Sequence, residues 1–113
     1  MSREIKFRAW DKINNAFVYS GFPPSFSFWK WYEYSPDLPL MQFTGLVDMN
    51  GEEIYEGDIL TNKDGIKREV YFSEGMFKVT PNTLIIYFDV KIGNKFENPE
   101  LLTEIINPNE KED

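Results

Sequence analysis

Polar and apolar residues alternate from Glu4 to Ala9, with Ile5, Phe7 and Ala9 on one face and Lys6 and Arg8 on the other. A period of two is that of a half-buried strand, so Lys6 and Arg8 are expected to face solvent or an acidic partner. Trp10-Asp11 breaks the alternation, the run Asp11 to Asn15 has turn composition, and Phe17-Val18-Tyr19 resumes the strand pattern. The expectation is an N-terminal β-hairpin.

From Ser20 to Pro39 the texture changes. Gly21 and four prolines bracket a segment in which seven of the thirteen positions from Phe22 to Tyr34 are aromatic. Phe28, Trp31 and Tyr32 have the i, i+3, i+4 spacing of a helix, while Trp29 points elsewhere. Two readings stay open for it: one or two helical turns, or an irregular aromatic loop. Its side chains either close one end of the core or form an exposed patch for a partner.

Leu40 to Leu46 reads as a strand, with Gly45 allowing a bulge. Asn50-Gly51 is a strong turn signal, and Gly57-Asp58 is a second turn. Between them, residues 52–56 read as a brief helical turn or a twisted link. Strands follow at Asp58–Asn62, Lys67–Phe72, Met76–Val79 and Asp89–Ile92, and an apolar run too short for a buried helix spans Thr83–Phe88. Short strands with turn signals every eight to twelve residues predict a mainly β domain, a small barrel or sandwich. Asn98-Pro99-Glu100 reads as a helix start, and residues 107–113 as a disordered tail.

Composition narrows the chemistry more than the fold. The 113 residues contain no cysteine and no histidine. Disulfides, thiol nucleophiles, Cys- or His-ligated zinc and every His-dependent triad are thereby excluded. The 19 acidic and 12 basic residues leave a formal charge of −7, which disfavours nucleic acid as a partner. Lys6, Arg8, Lys67 and Arg68 are too few to reverse that expectation. No run approaches the roughly 20 apolar residues of a membrane span, and a cytoplasmic location is expected.

Asp48, Glu52, Glu53, Glu56 and Asp58 invite a metal reading. In an EF-hand register starting at Asp48, Gly51 falls at the fourth position instead of the sixth, so the match fails. Phosphate-binding and nucleophile-elbow motifs are also missing. No catalytic residue, metal ligand or cofactor is assigned, and Asn50, Gly51, Gly57 and Asp58 are read as structural turn residues.

Three stretches carry a resemblance: REIKFRAWDK at Arg3–Lys12, MQFTGLVDMNGEEIYEGDIL at Met41–Leu60 and VKIGNKFENPELL at Val90–Leu102. Together, in this order, they resemble the YopX family of phage and prophage proteins. Members commonly have Tyr at the position of Phe43, and Ile-Tyr at Lys95-Phe96. Residues 20–39 match no family pattern and read as a variable insert. The resemblance implies a β-rich domain with an SH3-like barrel in the second half, a bacterial cytoplasm and a phage or prophage origin. It implies no activity.

The expected organisation is therefore one domain over residues 1–106, with the hairpin and aromatic insert in 1–40 and the barrel in 41–106. The expected role is non-enzymatic: binding a protein partner, or a second copy, through Trp29, Trp31, Tyr32 and Tyr34, supported by Phe28. The alternatives are an acidic inhibitor mimicking nucleic acid, which needs carboxylates lined up on one face, and a carboxylate- or Mg²⁺-dependent enzyme, which needs a pocket with converging acids.

Overall fold

The computed structural model describes residues 4–21, 24, 27–80, 83–85 and 88–102. The strands are β1 (Phe7–Asp11), β2 (Ala16–Tyr19), β3 (Leu40–Val47), β4 (Glu53–Tyr55), β5 (Asp58–Thr61), β6 (Lys67–Ser73), β7 (Met76–Val79), β8 (Thr83–Leu84) and β9 (Val90–Asn94); helix α1 spans Phe28–Tyr32, and residues 100–102 are also helical. They form a four-stranded sheet ordered β2-β1-β3-β4 and a five-stranded sheet ordered β8-β7-β6-β5-β9. Every pairing is antiparallel. The second sheet curls into a half-barrel, so the β-rich class with a small barrel-like second half is as expected.

Ile54 of β4 closes the open side of the half-barrel, packing with Leu60, Val70, Val79, Ile85 and Phe88. Asp58 lies opposite the position of Val70 in the ladder, and Leu60 shares its face. Ile59 points to the other side and is equally inaccessible. A central strand covered on both faces shows no alternation.

Several local expectations change. Residues 52–56 contain strand β4, not a helical turn. Its bonds come from β3, through the pairs Phe43–Tyr55 and Val47–Glu53, and a partner strand distant in sequence leaves no local signal. The register shift between those two pairs is the bulge expected at Gly45, whose φ is +89°. β1 does not stop before Trp10, because the Trp10 amide donates to the Pro39 carbonyl at 3.1 Å and the strand runs on to Asp11. Ile5, expected on the core face, is exposed and precedes the strand. Finally, β3 pairs with β1 as well as β4, so a division at residue 40 cuts through one sheet.

β9 also runs past the expected end at Ile92, to Asn94. The Asn94 amide donates to Asn98 Oδ1 at 3.2 Å, so the Asn98 side chain caps a strand edge, while the helical turn begins at residue 100. A Cβ on Gly93 would sit 2.7 Å from Asn98 Cγ. Gly93→Ala should therefore cost about 1–3 kcal/mol by overpacking. Urea unfolding of Gly93→Ala, Asn98→Ala and the double variant measures it. The double variant is expected to be more stable than the sum of the two single losses, and strict additivity would refute the contact. The tail at 107–113 lies outside the described residues.

Candidate functional site

The densest charged arrangement lies between the two sheets and is built from all three stretches that carried the family resemblance. Arg8 comes from β1, Tyr55 and Asp58 from the segment spanning β4 and β5, and Lys91 from β9. Arg8 was expected to face solvent or an acid, and the second alternative is the observed one. It is 1% exposed, and its Nη2 donates to Asp58 Oδ1 at 2.9 Å and to the Glu56 carbonyl at 3.0 Å.

Asp58 is wholly buried. Its Oδ2 accepts the Tyr55 amide at 2.7 Å and lies 3.5 Å from Lys91 Nζ, which itself donates to the Glu53 carbonyl. The Arg8 guanidinium is sandwiched, its central carbon 3.9 Å from the Phe17 ring centroid and 4.7 Å from that of Tyr55. Stacking on two π faces suits a planar, weakly hydrated cation. Arg8 Nε is buried without a hydrogen-bond partner. Burial, then the negative field of Glu53, pushes the Tyr55 hydroxyl well above its ordinary value, so it stays protonated at neutral pH.

Gly57 lies in the expected turn at φ +87°, whereas Asp58 already opens β5 and does more than turn the chain. Met41 Sδ and Arg8 Nη2 lie 3.2 and 3.8 Å from where a Gly57 Cβ would be, so backbone and arginine meet only because a side chain is missing there. The role of Asp58 was missed because Gly-Asp alone satisfies a turn. The available signal was an arginine on an expected strand with no acid adjacent to it.

Asp48 ties the sheets together a short distance away. Its Oδ1 accepts the amides of Asn50 at 2.9 Å and Glu52 at 2.8 Å, and its Oδ2 accepts that of Lys91 at 2.9 Å. Burial pushes its pKa up, but these three amides outweigh that and hold it below the ordinary value. Asn50 and Gly51 occupy the expected turn, Gly51 at φ +84°.

The five acids of residues 48–58 are thus dispersed. Asp48 and Asp58 point inward, Glu53 pairs with Lys6, and Glu56 accepts the Gln42 amide. They do not form one exposed row. Among the described residues no three His, Cys, Asp or Glu side chains converge on a metal position. Above Arg8 opens a cleft of about 570 Å³, walled by Phe17 and Tyr19 on one side and by β9 on the other, with Asn50, Glu52 and Glu97 among its lining residues.

The aromatic insert resolves into one helical turn, α1, rather than an irregular loop. Phe28 is 3% exposed and stacks on Tyr32 at 6.1 Å, so it anchors the helix from inside and offers no contact surface. The Tyr32 hydroxyl lies 3.1 and 2.9 Å from the carbonyls of Pro36 and Leu38. Trp31 and Tyr32 are half-buried. Trp29 is 49% exposed although its ring meets Phe7 edge-on at 5.2 Å, and Tyr34 is 80% exposed. Of the five aromatics expected at a contact surface, Trp29 and Tyr34 are the ones widely open to solvent.

Fold and site together define a small two-sheet β domain locked by a buried ion pair. The family model described as YopX protein matches residues 24–103. The chain belongs to the YopX family. Among solved structures it is similar to protein EF1440 from Enterococcus faecalis, at 26% identity and a TM-score of 0.59, covering 89% of this chain and 99% of that one. No curated protein matches. Among the described residues no helix is long and apolar enough to cross a membrane.

Proposed function

We propose that this chain is a non-enzymatic binding module that docks a protein partner, or a second copy of itself, through Trp29 and Tyr34. On the same reading it is phage- or prophage-encoded and acts in a bacterial cytoplasm. The carrying observation is the anchored presentation of the two side chains. Phe28 and the Tyr32 hydroxyl fix the turn from below, while Trp29 and Tyr34 remain 49% and 80% exposed. Pre-positioned aromatics lose little entropy on contact, and Trp and Tyr dominate the binding energy of protein interfaces.

Tyr34→Ala is the cleaner test, because this side chain contributes little to folding. It should leave the melting temperature unchanged and weaken association by about thirtyfold, the loss of one hot-spot residue. Trp29→Ala should also cost about 1 kcal/mol of stability through its edge-on ring contacts. Solution mass across a concentration series, with a pull-down from lysogenic cells, reads both forms of association. Wild-type behaviour in the double variant would count decisively against the proposal.

A further inference from the structure

The two sheets have four outer strands: β2 and β4 in the first, β8 and β9 in the second. Side chains and a turn close two of them. On β9 the Lys91 amide donates to Asp48 and the Asn94 amide to Asn98, and just before it the Asp89 carbonyl accepts the Met49 amide. On β4 the Tyr55 amide donates to Asp58, and the Glu53 carbonyl accepts Lys91 Nζ. β8 has only two residues.

β2 is different. The Ser20 amide donates to the Phe7 carbonyl, while the Trp10 amide turns the other way, to Pro39. In this register Ala9–Val18 and Asp11–Ala16 are therefore the hydrogen-bonded pairs, since such pairs alternate along an antiparallel ladder. Phe17 and Tyr19 direct their N–H and C=O groups away from β1, at the rim of the cleft that faces β9. Among the described residues no strand pairs with this edge, and such a row of backbone groups is a template for one more strand.

We propose that this edge receives an extended peptide carrying basic side chains, which adds a fifth strand to the first sheet beside β2. Two observations select that occupant. The opposing wall of β9 bounds a cleft of about 570 Å³ beside this edge, a space that one added strand can occupy. The charge is the other. Arg8 and Lys91 are turned toward Asp58; Glu52, 4.0 Å from Lys91 Nζ, and Glu97, which accepts Asn94 Nδ2, are nonetheless exposed at the mouth. An incoming peptide therefore meets accessible negative charge, which attracts Lys or Arg and repels an acidic segment. Trp29 and Tyr34 do not line this cleft, so the site is separate from the aromatic surface.

The test is selection of random dodecapeptides against the full-length chain at low salt, followed by amide hydrogen exchange with the best binder. Enriched peptides should be rich in Lys and Arg, and the amides of Phe17 and Tyr19 should exchange about tenfold more slowly when a peptide is bound. N-methylation at alternate peptide positions should weaken binding about tenfold through loss of ladder bonds. Glu52→Lys/Glu97→Lys, which reverses two exposed charges, should weaken it by a similar factor of about ten. Failure to enrich any peptide overturns the proposal. So does a footprint elsewhere, an affinity indifferent to charge reversal, or protection of Phe17 and Tyr19 that rises with protein concentration without peptide, which would place a second copy there. Peptide binding is expected to survive Trp29→Ala/Tyr34→Ala, so this proposal and the aromatic one fail separately.

Discussion

Replacing Arg8 with methionine should lower the unfolding free energy by about 3–5 kcal/mol, because it strands the Asp58 carboxylate in the interior without its partner. For a domain of this size that is a fall of roughly 12–20 °C in melting temperature. Both members of the pair are buried to within 2% of full coverage, so solvent does not screen the interaction. Lys91 at 3.5 Å from Asp58 supplies a residual counter-charge and keeps the loss toward the lower end of that range.

Arg8→Lys should recover little, since an ammonium cannot lie flat between Phe17 and Tyr55 while donating to both Asp58 and Glu56. The informative control is Arg8→Met/Asp58→Leu. Removing both charges removes the stranded carboxylate, and the double variant should be more stable than Arg8→Met alone. Urea melts of the four proteins give the coupling energy. A double variant as unstable as the sum of its parts would show that the two residues do not interact.

The second large effect is expected at Asp48. Asp48→Ala leaves the amides of Asn50, Glu52 and Lys91 without their acceptor, at about 3 kcal/mol or more for bonds to a charged group. The Lys91 bond joins the two sheets, so slower folding or a looser interface should accompany the loss. Asp48→Asn keeps one oxygen for the turn but cannot accept the third amide with its –NH₂ group.

This side chain also predicts a pH dependence. Its folded-state pKa lies below the unfolded value of 3.8. Its contribution is therefore complete above that value and is lost as pH falls through the lower folded-state pKa. Wild type and Asp48→Asn should differ clearly at pH 7 and converge toward pH 2. A difference of equal size at both ends would exclude an ionised Asp48 as the source. Asp11 is also held low, chiefly by the Asn14 side chain, but it is common to both proteins and cancels in the comparison.

How much of this was legible depends on whether the relevant partner is near in sequence. The turn at Asn50-Gly51, the bulge at Gly45 and the hairpins β1–β2 and β6–β7 are local events, written in residues a few positions apart. β4 was misread because its bonds come from β3 across a bulge. Asp58 was read as a turn residue because the Gly57-Asp58 dipeptide already has that meaning. Nothing within several residues announces that its carboxylate meets Arg8, 50 positions away. Phe28 shows the same limit: helical spacing placed it among the aromatics of α1, but which of them faces inward is decided by what the helix lies against.

By itself, the sequence determined that this is a mainly β domain of the YopX type, acidic overall, and without the cysteine or histidine that most catalytic and zinc sites require. Those are properties of composition, of period-two patterning and of turn chemistry, which act over short distances. Only the tertiary structure decided that Arg8, Asp58, Lys91 and Asp48 form the lock between the sheets, that Trp29 and Tyr34 stay exposed while Phe28 does not, and that β2 keeps an open edge beside a cleft. Each depends on long-range pairing, because the free energy of a charge or a backbone amide is set by what displaces its water, and that is supplied by distant parts of the chain.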